Sequence, residues 1–161
     1  MKKKVAAMFA AVTVLFSGCS LNAGIDTMLT SPKLSAQHEQ IYKALISEEG
    51  SNITLKYPKS GTNLSAFTVA DIDNDNEDEA IVFYAKNSIS SEGSSLRMNV
   101  LDQQNGKWRS VYDYSADAEN PDRVTEVEKV IVSELGVSDK MNIIVGYNMV
   151  NPAEKHVCVY N

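Results

Sequence analysis

The sequence predicts a mainly β fold: antiparallel, blade-like units preceded by one short α-helix. Three observations carry that reading. Beyond residue 50, apolar residues recur in short alternating runs separated by Gly, Pro, Asn and Ser. A sixteen-residue segment within those runs repeats without gaps. Only one stretch, just ahead of them, has helical periodicity. The chain has 161 residues, 43% hydrophobic and 22% charged, which suits one globular domain with a short appendage and excludes collagen-like, disulfide-scaffold and wholly disordered classes. Net charge is −6, although Lys2, Lys3 and Lys4 sit in an N-terminal segment without acids. The remainder is therefore more acidic still. Such a surface repels phosphate backbones, so no nucleic-acid partner is expected.

The first element is an address. Three lysines precede a twelve-residue apolar run, Val5 to Phe16. A bilayer core needs about twenty helical residues, so this run is too short for a permanent span and fits the core of a secretory signal over residues 1–18. Leu15-Phe16-Ser17-Gly18-Cys19 resembles the lipobox of bacterial lipoproteins, with Phe16 where those proteins usually carry an aliphatic residue. The resemblance implies that Cys19 becomes the lipid-modified N-terminus, anchored to the extracytoplasmic face of the cell membrane. Two or more acyl chains are enough for lasting residence there. The other cysteine, Cys158, is left without a partner in an apolar strand-like run. A buried, inert thiol and no disulfide are expected.

Residues 19–34 are small, polar and weakly patterned, and read as a flexible tether. Ser35 can cap a helix over residues 35–50 whose stripe is Ile41, Tyr42, Leu45 and Ile46, ended by Gly50. Thereafter Asn52–Tyr57, Ser65–Ile72, Glu79–Ala85, Leu96–Asp102 and Lys107–Tyr114 read as strands, with Asn105-Gly106 as a hairpin turn. Val124–Val132, Asn142–Tyr147 and Lys155–Tyr160 continue the series.

The repeat aligns Val69–Tyr84 with Val132–Tyr147 at an offset of 63, and Leu96–Leu101 with Lys155–Tyr160 at an offset of 59. Each unit is strand, polar loop, strand, longer loop, strand, which is the form of a β-propeller blade. About two units are present: residues 51–118, and an incomplete second one over 119–161. The second unit stops a strand short. Either the product is a shortened propeller, or it is a small open sheet that pairs with something else through an exposed edge at Lys155–Tyr160.

One loop carries chemistry. Asp71, Asp73, Asp75, Glu77, Asp78 and Glu79 place six carboxylates within nine residues, with no cation among them. At about 4 Å and an effective dielectric of 20, each close pair costs on the order of 4 kcal/mol, which a bound hard cation converts into ligation. Acids at alternate positions converge on one centre when the chain wraps tightly, as in calcium loops. Asn76 tolerates the positive φ that the turn demands. An EF-hand is excluded, because the twelfth position is Val82 and no helices flank the loop. Asp71, Asp73 and Asp75 are the expected carboxylate ligands, with Glu77 offering its carbonyl and Glu79 closing the site. The alternative is a merely solvated acidic turn.

This D-x-D-x-D-x-x-x-E loop between apolar strands resembles the calcium loop of FG-GAP/VCBS-type propeller repeats, the integrin-alpha-like kind. Ser31–Gln37, Leu55–Gly61, Ser65–Phe67 and Ala80–Tyr84 are similar to the opening of bacterial FG-GAP-repeat lipoproteins. Asn76 stands where those loops usually have Gly, and the second loop has lost its acids. One calcium ion is therefore implied.

Catalytic signatures are sparse. G-x-S-x-G, S-x-x-K and P-loop motifs are absent, and His38 and His156 are placed too differently to share a zinc ion. Trp108, Ser110, Tyr112 and Tyr114 fall on one strand face by alternation, expected to pack between blades, with a sugar-stacking platform as the alternative. The expectation is a tethered, calcium-stabilised module that binds an envelope protein or glycan without catalysis. The competing expectation is an extracytoplasmic metal-dependent enzyme or hydrolase accessory domain that uses the acidic loop.

Overall fold

A computed structural model describes residues 34–86, 96–116, 123–136 and 140–161. Cys19, the signal segment and nearly all of the tether lie outside the described residues. The helix α1 (Ala36–Glu49) begins where Ser35 accepts the His38 amide at 3.1 Å on its side-chain oxygen. It ends where Gly50, at φ 82°, returns its amide to the Ile46 carbonyl. Ile41 and Leu45 are buried, so one apolar stripe docks the helix. Among the described residues no helix is long and apolar enough to cross a membrane.

The other elements among the described residues are antiparallel strands in two sheets. The first contains β1 (Ile53–Leu55), β2 (Phe67–Ala70), β3 (Glu79–Lys86), β4 (Leu96–Gln104) and β5 (Lys107–Ser115). β1 and β2 take successive stretches of one edge of β3, and β4 and β5 follow on the other side. The β4–β5 turn is Asn105-Gly106, with φ of 53° and 73°, the left-handed pair that matches the twist of a two-residue hairpin. The second sheet is β6 (Val124–Ser133), β7 (Asn142–Met149) and β8 (Lys155–Tyr160), in that order.

Three layers result. Ile41 and Leu45 of α1 pack with Phe67, Val82, Tyr84, Leu101 and Trp108 on one face of the first sheet. The opposite face, including Ile81, Phe83, Met98 and Val100, packs against Val130, Ile143, Val145 and Tyr147 of the second. β3 is covered on both sides and is buried from Glu79 to Ala85, which explains its near-continuous apolar sequence.

Pairing registers match between the sheets. Phe67 stands opposite Val82, and Val130 opposite Val145, each partner displaced by 63 residues. Ala80 stands opposite Leu101, and Ile143 opposite Tyr160, displaced by 63 and 59. Equivalent side chains also point the same way within each sheet: Val82 and Tyr84 lie beneath α1, while Val145 and Tyr147 lie beneath the first sheet. The two sheets therefore stack head to tail.

Two sequence expectations need correction. Trp108, Ser110, Tyr112 and Tyr114 do not share a face. A bulge leaves Val111 as an extra residue, since Leu101 pairs with Ser110 and Val100 with Tyr112. Alternation is reset there. Trp108 packs with the helix, whereas Tyr114 packs with the second sheet. Cys158, expected to be buried, is only half-buried, because β8 is an outermost strand among the described residues. Its Sγ lies 3.1 Å from His156 Nε2.

Candidate metal centre and the adjoining cleft

The acidic loop runs from the end of β2 to the start of β3, so both ends are fixed by ladder pairs. Asn74 and Asn76 adopt φ of 62° and 69°, a left-handed conformation that Asn accepts more readily than most residues. These two residues curl the chain. Across the curl, the Ile72 amide donates to Glu79 Oε2 at 2.6 Å and the Asn76 amide to Asp71 Oδ2 at 3.1 Å. The Met141 amide donates to the Ile72 carbonyl at 2.8 Å, which pins the loop against the approach to β7.

Carboxylate oxygens of Asp71, Asp73 and Glu79 come within 4.8 Å of one another. Oxygens sharing a calcium ion at 2.3–2.6 Å are at most about 5 Å apart, so these three fit one hard cation. Asp71 Oδ1 is buried without a hydrogen-bond partner, an acceptor that an ion would satisfy. Asp75 is not among the three: its Oδ1 accepts the Glu77 amide at 2.8 Å. Glu77 is engaged through that amide. Of the four expected carboxylate ligands, those of Asp71, Asp73 and Glu79 come together, while Asp75 turns its carboxylate to the Glu77 amide.

Glu79 is 7% exposed and stands directly opposite Asp102 in the β3–β4 ladder. Burial pushes its carboxyl above the usual range, the Ile72 amide opposes that shift, and neighbouring Asp73 and Asp75 add to the rise. A cation at the loop would reverse the sign of this environment. Chemically, the set offers hard oxygen donors to a cation.

Beside the loop lies an open cleft of about 290 Å³. Asp73, Glu79, Asp102, Lys140, Tyr112, Tyr114 and Tyr160 are among the residues that line it. The rings of Tyr112 and Tyr114 stack at 5.9 Å, and Tyr114 meets Tyr160 at 4.8 Å with a tilt of 49°. Burial pushes the Tyr160 phenol up to about 12, so it remains a neutral donor at physiological pH. Sequence reasoning missed Asp102, Lys140 and Tyr160 as neighbours of the loop. Asp102 comes there through the β3–β4 register and Tyr160 through the β7–β8 register, pairings that no local sequence signal announces.

Relatives do not extend this picture. No protein-family model, curated protein or solved structure matches the chain.

Proposed function

We propose that this chain is a calcium-stabilised β interaction module, tethered through lipid-modified Cys19 to the extracytoplasmic face of the cell membrane, without catalysis of its own. On this reading the two stacked sheets are successive blade-like units of FG-GAP/VCBS type. The shared offset of their pairing registers supports that architecture.

The observation that carries the calcium assignment is the convergence of Asp71, Asp73 and Glu79 around an acceptor that lacks a partner. Asp71, Asp73 and Glu79 would hold the ion by carboxylate oxygens. Asp75 would join, or act through water, after turning from the Glu77 amide. Bound calcium would neutralise repulsion in a loop that connects two core strands, so its role is to fix the loop rather than to activate a substrate. Magnesium suits the site less well, since it retains its waters and demands a stricter octahedron. Isothermal titration of the full chain with calcium tests the reading. One ion per chain is expected, with binding lost in Asp73→Ala. Absence of binding heat at any calcium concentration up to the millimolar range typical of extracellular modules overturns it.

A further inference from the structure

The two faces of the first sheet are closed in different ways. Toward the second sheet, β4 presents Leu96, Met98 and Val100. Toward α1, alternation turns Asn99 inward, between Arg97 and Leu101 and opposite Val82. Asn99 is fully buried, yet neither the oxygen nor the nitrogen of its carboxamide has a hydrogen-bond partner among the described residues. Trp108 of β5 packs into the same helix-side core, and its Nε1–H is likewise buried without an acceptor. Polar groups buried without partners oppose the closure that buries them, and water reaches both as soon as the layer above them leaves.

That layer is lightly held. Among the described residues no backbone hydrogen bond joins α1 to a strand. Its seat consists of Ile41 and Leu45, the His38 ring stacked on Phe67 at 4.7 Å, and the Glu49 carboxylate paired with Lys86 Nζ at 2.6 Å. β3 and β4, by contrast, are hydrogen-bonded to strands on both sides. Immediately after Glu49 comes Gly50, at φ 82° and ψ 168°, a region almost reserved for glycine. A Cβ built there would meet no surrounding atom within 4 Å, and Ser51 and Asn52 are exposed. The chain can therefore pivot at Gly50 without disturbing β1, which starts at Ile53.

We infer that α1 is a hinged cover: it lifts from the first sheet as a unit about Gly50 while both sheets stay paired, uncovering a face that includes Asn99 and Trp108. Glu49–Lys86 is the latch beside the hinge, and the dehydrated carboxamide of Asn99 sets how readily the cover opens. The uncovered face offers a flat indole with its N–H and a carboxamide, groups that stack and hydrogen-bond. Opening thus presents a surface separate from the acidic loop. Every residue used here lies in α1, its hinge or the first sheet, so the inference stands whether or not calcium binds or Cys19 is lipidated.

Native-state hydrogen exchange of the full chain tests it, read at the central α1 amides Ile41–Ile46, where fraying of the helix ends does not dominate. After correction for intrinsic rates, these amides should exchange together, at least about tenfold faster than the paired amides of β3 and β4, and with a weaker dependence on urea. Asn99→Leu replaces the carboxamide by an apolar group of similar size and should slow α1 exchange about fivefold or more. Lys86→Gln removes the latch and should speed it about twofold. Exchange of α1 at the β3 and β4 rates with the same urea dependence would overturn the inference, because α1 would then open only with the whole fold. Unchanged or faster α1 exchange in a folded Asn99→Leu would overturn the role of Asn99. If circular dichroism shows that Asn99→Leu does not fold, the exchange map of the unmutated chain and the surface variant Lys86→Gln still decide whether α1 opens alone.

Discussion

Glu79, the first residue of β3, accepts the Ile72 amide at 2.6 Å and so closes the acidic loop on itself. That bond places a buried carboxyl beside Asp73 and opposite Asp102. Three acids thus meet where the two sheets and the loop converge. Their charge sets the sign of the protein's response to pH and to cations.

Glu79 has a raised pKa, so folding without metal favours its protonated form. This contribution to stability is full below the unfolded value and is lost as pH rises through the folded one. In chelator, the Glu79-dependent part of stability should therefore fall as pH climbs through the upper carboxylate range. Calcium prefers the ionised group, so the gain from calcium should grow over the same interval. Thermal melts across that range, with and without calcium, check both slopes.

Glu79→Gln separates charge from hydrogen bonding, because glutamine keeps an acceptor for Ile72. In chelator this variant should melt above the unmutated protein. In calcium it should fall below it. A decrease in both conditions would mean that the ionised carboxylate itself, rather than an acceptor at that position, stabilises the fold.

The acidic loop was legible in outline and not in detail. Alternating Asp residues between two apolar runs placed it correctly between β2 and β3. Which acids converge depends on where the chain curls, and the φ values of Asn74 and Asn76 turn Asp75 toward the Glu77 amide instead. The helix cap, the Asn105-Gly106 hairpin and most strands were readable from local chemistry. The Val111 bulge was not, since no residue from Arg109 to Tyr114 is specific to bulges, yet it decides that Trp108 and Tyr114 serve different cores. Asp102 and Tyr160 reach the loop through cross-strand register, a non-local relation that composition and spacing do not encode.

The inter-sheet core should dominate stability. Phe83 is fully buried between the sheets, and Phe83→Ala should cost about 3–5 kcal/mol. Val157→Ala, on the exposed face of β8, should cost less than about 1 kcal/mol. Urea unfolding of both variants measures the contrast.

A second anchor ties the strands away from the loop. Asp113 accepts from Tyr84 Oη at 2.8 Å on one oxygen and from Arg97 Nε at 2.8 Å on the other, in a partly buried setting. Tyr84→Phe removes one donor and should cost about 1 kcal/mol. Asp113→Ala strands the guanidinium as well and should cost more, about 2–3 kcal/mol. A double variant whose loss falls well short of the summed single losses would demonstrate that the three groups act as one network.

The calcium claim is tested most directly by melting the full chain in saturating calcium and in chelator. At about a hundred times the dissociation constant, calcium should add roughly 2.7 kcal/mol of stability. Asp73→Ala should abolish most of that gain, while Asp139→Ala, in the loop that lacks the acidic pattern, should retain it. Superimposable melting curves of the unmutated protein in calcium and chelator would contradict the account and reduce the loop to a solvated acidic turn.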